Sequence, residues 1–279
     1  MTDGVVLYDK PAGITSHDVV AETRRALRGR GPDSASRSGS RVKVGHAGTL
    51  DPFATGLLLV LVGRATRVQR FLMELPKTYE VIARFGAISS TGDPEGEIVS
   101  TGVVPEGDLM LPVGAVRQRP PAYSAVKVGG RRAYALARAG KTVELAEREV
   151  HVYRFEERWR EGDRRGFEIQ CSSGTYVRSL IGSLGDAYCE ALRRTRIGRF
   201  DVAEADPERI VPLEEALAFI PEVRLDPEEA RRAGHGGAVA ALGDVGGAGV
   251  VRLTDSDGLI ALASPHGDGT LRPIVGLRG

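Results

Sequence analysis

Apolar positions fall into two periods along this chain, and the change of period marks out its elements. Leu57-Leu58-Leu59-Val60-Leu61-Val62 is an unbroken apolar run. Its length suits a strand buried on both faces and is too short for an independent helix. Residues 4–8 form a second, shorter strand, followed by a turn at Lys10-Pro11-Ala12-Gly13. The spacing then predicts a helix from Ser16, as N-cap, to about Leu27, with Val19, Val20, Thr23, Ala26 and Leu27 inward. His17 in its first turn fits a core or a surface role as well as any function. A helix over 64–75 packs Val68, Phe71 and Leu72 and stops at Pro76. From Lys77 to Phe85 the period is two, with Tyr79, Val81, Ala83 and Phe85 on one face.

The second half is read in the same way. Residues 86–108 are turn-rich. Pro120-Pro121 blocks helix, Gly129-Gly130 permits a hairpin, and a short helix over 133–139 ends at Gly140. Strand character covers 142–155 and 165–171, where Phe167, Ile169 and Cys171 alternate with polar residues. A helix capped by Thr175 is expected to carry Val177, Leu180, Ile181, Leu184, Tyr188 and Leu192 on one face. A short helix over 212–219 precedes a boundary near Pro221. Residues 222–279 then predict a small, mostly β module: a helix opening at Asp226, a hairpin turning through Asp255-Ser256-Asp257-Gly258, and a last strand over 271–277.

The 279 residues suffice for one large domain with a small appendage, at ordinary globular proportions of 42% hydrophobic and 27% charged residues. No secretory leader opens the chain and no apolar run is long enough to span a bilayer, so a cytoplasmic protein is expected. Cys171 and Cys189 have no partners at metal-ligand spacing, and Cys171 reads as a small buried residue. The net charge of +1 conceals local excesses. Residues 24–43 hold seven bases against Asp33; residues 117–138 hold six bases and no acid; Arg193, Arg194, Arg196 and Arg199 form a third group. Together they favour a phosphate-binding surface, although a solvated face explains any one of them. The 29–43 stretch, rich in Gly, Ser and Arg, reads as a basic loop. The C-terminal module, with eight acids against six bases, fits a folding support and an RNA-binding unit equally.

Candidate chemistry centres on Asp51. Gly45, Gly48 and Gly56 surround it, and Pro52 keeps it out of helix. A lone acid on a glycine-bounded loop before a buried strand is how a reactive group is presented, and equally how a turn is capped. Arg178 sits in the first turn of its helix, against the dipole, and needs a partner such as Asp51. Tyr79 shares a face with core residues near the start of its strand, where core packing with a wet hydroxyl is the plain alternative.

VLYDKPAGITSHDVV (6–20), GHAGTLDPFATGLLLVLVGRATR (45–67), KTYEV (77–81), PPAYSAVKVGGRRAYALAR (120–138), CSSGTYVRSL (171–180) and LRRTRIGRF (192–200) resemble the motifs of the bacterial tRNA pseudouridine-55 synthases, the TruB family. The resemblance implies an α+β fold, a mixed and mainly antiparallel central sheet with flanking helices over 1–221, followed by a PUA-like module over 222–279. It implies isomerisation of uridine 55 in the T loop, with no cofactor and no metal. Asp51 resembles the catalytic aspartate, Arg178 its partner, and Tyr79 the tyrosine stacked on the target base. His46 resembles a histidine in the T-loop stack, Lys10 and Tyr176 would line the pocket, and Lys127 would meet RNA. The implied partner is the tRNA T arm, with no guide RNA, no membrane and a monomeric protein. Three departures stand out: a longer stretch before Gly45, a short 103–118, and a contracted segment after Ser179 without a histidine. The competing classes are a non-catalytic RNA-binding protein, a guide-RNA-dependent synthase and a glycoside hydrolase, which would show a second carboxylate opposite Asp51.

Overall fold

A computed structural model describes residues 3–28, 42–121, 127–128, 130–132, 145–241 and 249–278. In chain order it contains β1 (Gly4–Lys10), α1 (Ser16–Arg28), β2 (Val44–His46), β3 (Thr55–Val62), a 3-10 turn (Gly63–Val68) continuing into α2 (Gln69–Glu74), β4 (Lys77–Phe85), β5 (Ala87–Ser89) and β6 (Ile98–Ser100). There follow β7 (Gly114–Gln118), β8 (Lys127–Val128), β9 (Arg131–Arg132), β10 (Arg148–Glu161), β11 (Arg164–Cys171), α3 (Val177–Gly182), β12 (Ala187–Ile197), β13 (Phe200–Asp201) and β14 (Val211–Pro212). The chain closes with α4 (Leu213–Ala216), β15 (Glu222–Arg224), α5 (Pro227–Gly234), β16 (Val239–Ala240), β17 (Val251–Asp255), β18 (Gly258–Pro265) and β19 (Thr270–Gly276).

The main sheet runs β14-β1-β3-β12-β4-β11-β10-β7, with β2 added to β3 and β13 to β12. Every adjacent pair is antiparallel except β3 with β12. β3 is unbrokenly apolar because it is covered on both faces. Leu57, Leu59 and Leu61 enter a core with Val5, Leu7, Ala65, Val68 and Leu72, whereas Leu58, Val60 and Val62 pack with Val6, Val19 and Val20 under α1. Beyond β12, Val81, Ala83, Phe85, Phe155, Phe167 and Ile169 form a third core covered by Val177, Leu180 and Ile181 of α3.

Residues 222–276 supply a separate five-stranded sheet, β15-β17-β18-β19-β16, with Asp226 capping α5 through Glu228 and Glu229 N–H groups. Leu262 and Leu277 of this region join the core formed by Leu7, Leu59 and Leu217. No helix among the described residues is long and apolar enough to cross a membrane.

Several elements differ from the sequence-based expectation. The helix expected to run through 192 stops at Gly182, and Ala187–Ile197 is a central strand. Gly182 and Gly185 interrupt the helix, and the 187–197 segment gains a ladder on both sides, with β4 and β3, that a surface helix would forgo. Thr175 is not its cap; its hydroxyl donates to Ser172 O at 2.9 Å. Thr15 rather than Ser16 caps α1, accepting from Asp18 N at 3.1 Å while the Asp18 carboxylate returns a bond to Thr15 N at 2.8 Å. Ala26 is exposed. The expected helix over 133–139 and the basic loop over 29–41 lie outside the described residues.

Candidate active site

The parallel pairing of β3 with β12 creates the site. β3 begins beside the later half of β12, with Thr55 and Gly56 opposite Arg193 and Arg194, so the loop that precedes β3 lies towards the start of β12. The segment before β3 is the loop of Asp51, and the one before β12 carries α3 and Arg178.

Almost every residue of the Asp51 loop is tied down. Ala47 N donates to Leu59 O at 2.9 Å. Leu50 N donates to Ser16 Oγ at 2.9 Å, and that hydroxyl donates to Leu50 O at 3.2 Å. Pro52 O accepts from Gly13 N at 2.8 Å and Lys10 Nζ at 3.2 Å. Gly48 takes a positive φ of 101°, a conformation that side chains resist. The rigid loop presents the Asp51 carboxylate, whose side chain is about one-third exposed.

Arg178 is buried with its guanidinium between two carboxylates. Nε lies 2.9 Å from Asp51 Oδ2, and Nη1 donates to Asp93 Oδ2 at 2.7 Å and to Thr91 O at 2.8 Å. The partner that its place in the first turn of α3 demanded is therefore Asp51, as expected, together with a second acid. Burial raises the pKa of Asp51; Arg178 and Lys10 oppose this, and the Asp93 charge adds to it. Asp93 is not placed as a hydrolase's second carboxylate. Its side chain is 5% exposed, and its oxygens accept from Thr91 Oγ1, Glu95 N and Arg178. It anchors the arginine instead.

Tyr79 sits on β4, 8% exposed, in one cluster with Leu50 and Ala54, which flank Asp51. Burial raises its pKa, while the charge of Arg194 acts the other way. Arg194 is itself 1% exposed.

The other expected residues are distributed differently. Lys10 does not line a pocket: it is fully buried, and Nζ donates to Pro11, Ile14 and Pro52 carbonyls at 2.8, 2.9 and 3.2 Å. Burial lowers its pKa to about 8. Its ammonium fixes the loop beside Asp51. His46 is half-buried on β2, opposite Val60, and its carbonyl accepts from Gln69. Tyr176 is half-buried immediately before α3; its N–H donates to Gln118 Oε1 at 2.7 Å and the Arg148 guanidinium lies 4.6 Å from its ring centre. Lys127 lies in the two-residue strand paired with β9, and its side chain is outside the described residues.

The third basic cluster is not a free phosphate surface. Arg193 pairs with Asp9, Arg196 with Asp201 and Arg199 with Glu215, while Arg194 is interior. Cys171 and Cys189 are buried thiols, the first raised to about 11 by burial.

Sequence reading missed Asp93, Arg194 and Ser16. For Asp93 a signal existed: Thr91-Gly92-Asp93-Pro94 repeats the Asp-Pro in a glycine-bearing turn that singled out Asp51. Arg194 would have emerged from a strand reading, because Leu192 and Arg194 share its inward face.

Residues 37–177 match the TruB family pseudouridylate synthase N-terminal domain. This chain belongs to the TruB family. The tRNA pseudouridine synthase B of Thermobifida fusca is 41% identical over the full length of both chains. The same enzyme of Mycobacterium tuberculosis (strain H37Rv) is 40% identical over 99% of this chain and 96% of its own. Among solved structures, the Cbf5–Nop10–Gar1 complex matches with a TM-score of 0.64 and 28% identity, covering 94% of this chain and 78% of that one. An H/ACA RNP bound to a substrate RNA containing 2′-deoxyuridine matches at the same TM-score and 26% identity, covering 94% and 77%. The α+β, mainly antiparallel pseudouridine synthase fold and the enzyme class expected from the motifs are thereby established for this TruB protein.

Proposed function

We propose that this synthase isomerises a uridine of tRNA, position 55 in the T loop, with Asp51 as the catalytic carboxylate. The observation that carries the reading is the contact of the buried Arg178 guanidinium with Asp51 at 2.9 Å. Similarity to the enzymes named tRNA pseudouridine synthase B supports the choice of RNA.

The reaction breaks the N1–C1′ bond, turns the uracil and joins C5 to C1′. Covalent attachment of Asp51 to the sugar and glycal formation both require an ionised carboxylate. Arg178 keeps it charged and aimed against a burial that favours protonation. The target base must leave its stack, and the Tyr79 ring offsets part of that loss. The chemistry is redox-neutral and draws on no cofactor or metal. His46 and Tyr176 contact the folded T arm, with Lys127, and shape governs recognition more than duplex readout. The protein acts as a monomer without guide RNA. Residues 1–221 carry every proposed catalytic group, and 222–279 serve as a PUA-like RNA-binding module that also completes the core.

Site mapping by carbodiimide modification and primer extension tests the assignment. On an unmodified tRNA transcript, with no guide RNA, one stop is expected, at the T-loop uridine. A stop elsewhere overturns the specificity, and no stop from a folded protein that binds tRNA overturns the enzymatic reading.

A further inference from the structure

Three strands place Gly56, Arg194 and Tyr79 in a single row: Gly56 of β3 opposite Arg194 of β12, and Arg194 opposite Tyr79 of β4. Gly56 has a φ of 103°, and a Cβ there would meet the Arg194 carbonyl oxygen at 2.2 Å. The backbone of β12 therefore lies directly on the chain that follows the Asp51 loop. The Arg194 side chain then turns into the interior and reaches the loop itself. Nε donates to Leu57 O at 2.7 Å, Nη2 to Gly48 O at 3.1 Å and Nη1 to Thr49 O at 3.4 Å. Its backbone is meanwhile the cross-strand partner of Tyr79.

We propose that Arg194 is a positioning residue for the isomerisation, holding the Asp51 loop in register with the strand that carries Tyr79. The carboxylate and the aromatic ring lie on different strands, and each has its own supports. Arg178 and Lys10 orient Asp51 or its loop, and Tyr79 packs with Leu50 and Ala54. Arg194 meets both, the loop through its guanidinium and Tyr79 through the pairing of β12 with β4. A planar guanidinium can satisfy several carbonyls in fixed directions, whereas a lysine ammonium is a single point charge. A group whose three nitrogens each donate to a backbone carbonyl, at 1% exposure, has little freedom to let its partners drift. This inference rests on Asp51 and Tyr79 being the reacting carboxylate and the stacking ring.

Arg194→Lys and Arg194→Gln test it in the full-length protein, by single-turnover tritium release from C5-labelled tRNA and by tRNA affinity. A register error of about 1 Å is expected to lower the single-turnover rate about a hundredfold, with Kd changed less than about threefold. Parental rates in both variants would overturn the proposal, and so would a rate loss matched by an equal loss of affinity. A second measurement leaves the arginine in place. The buried guanidinium of the parent, bonded to the Gly48, Thr49 and Leu57 carbonyls, should give slowly exchanging N–H signals in NMR spectra; rapid exchange overturns the proposal even if both arginine variants fail to fold. Failure of the catalytic reading is separately visible, as retained turnover in Asp51→Asn.

Discussion

Asp93 holds Arg178 from the side opposite Asp51, its Oδ2 accepting from Nη1 at 2.7 Å while Nε faces Asp51 at 2.9 Å. Both members of the Asp93–Arg178 pair are about 95% buried, so the pair sits where an unmatched charge is costly. Asp93 and Thr91 reach the site on the turn after β5, which is pinned to β12 by Cys189 N donating to Gly92 O at 3.0 Å.

Asp93→Ala leaves Arg178 with one carboxylate instead of two and removes the anchor that aims it. A loss of about 3 kcal/mol of stability is expected, at the lower end for a broken buried pair because Asp51 remains. Urea unfolding checks it. Turnover should fall in the protein that stays folded, and parental stability would show the anchor to be dispensable.

Arg178→Lys should cost turnover more than affinity. One ammonium cannot meet Asp51, Asp93 and Thr91 O in the geometry that the guanidinium spans. The expected change is about a hundredfold in single-turnover rate with tRNA binding nearly retained. Equal rates for the two proteins would remove Arg178 from the mechanism.

The pH–rate profile should carry an acid limb above the ordinary aspartate value of about 3.9, because burial raises the pKa of Asp51 and the active form is ionised. Activity is lost as pH falls through that raised value. Arg178→Gln removes the largest opposing charge and should move the limb further up in its residual activity. The same shift has a stability consequence of the opposite kind to a salt-bridged acid. The folded state binds the proton more tightly than the unfolded one, so stability falls as pH rises through the window between the ordinary and the raised value. Asp51→Asn should therefore melt no lower than the parent at pH 7, while its turnover drops below about a thousandth of the parental rate. A clear fall in melting temperature would contradict the direction of the shift.

Affinity for tRNA should weaken with salt, and the residues responsible should lie outside the paired arginines of β12 and its neighbours. Arg196→Gln is expected to leave the slope of log K against log salt unchanged, because Asp201 already occupies its guanidinium at 2.8 Å. A slope smaller by about one would mean that it exchanges Asp201 for a phosphate.

Elements whose burial is local and periodic can be read from the residues alone. β3 was legible as an unbroken apolar run, β4 as strict alternation, and the Asp51 loop as glycines and Asp51-Pro52 before a strand. The motifs carried the family, and the dipole argument found that Arg178 needs an acid. Tertiary structure decided the rest. Ala187–Ile197 has apolar residues that satisfy a helical stripe and a strand face alike, and only the open edges of β3 and β4 made it a strand. That choice turned Arg194 from a surface charge into an interior one. It also fixed which acids are supports and which is presented: Asp51 and Asp93 have the same local signature, but long-range packing saturates one and leaves the other about one-third exposed. Lys10 shows the same limit, since nothing in its neighbourhood of the chain reveals that Pro52, 42 residues away, will take its proton donors inward. Local pattern specifies which residues can be buried; the partners that meet them across the sheet decide what burial makes of their charge.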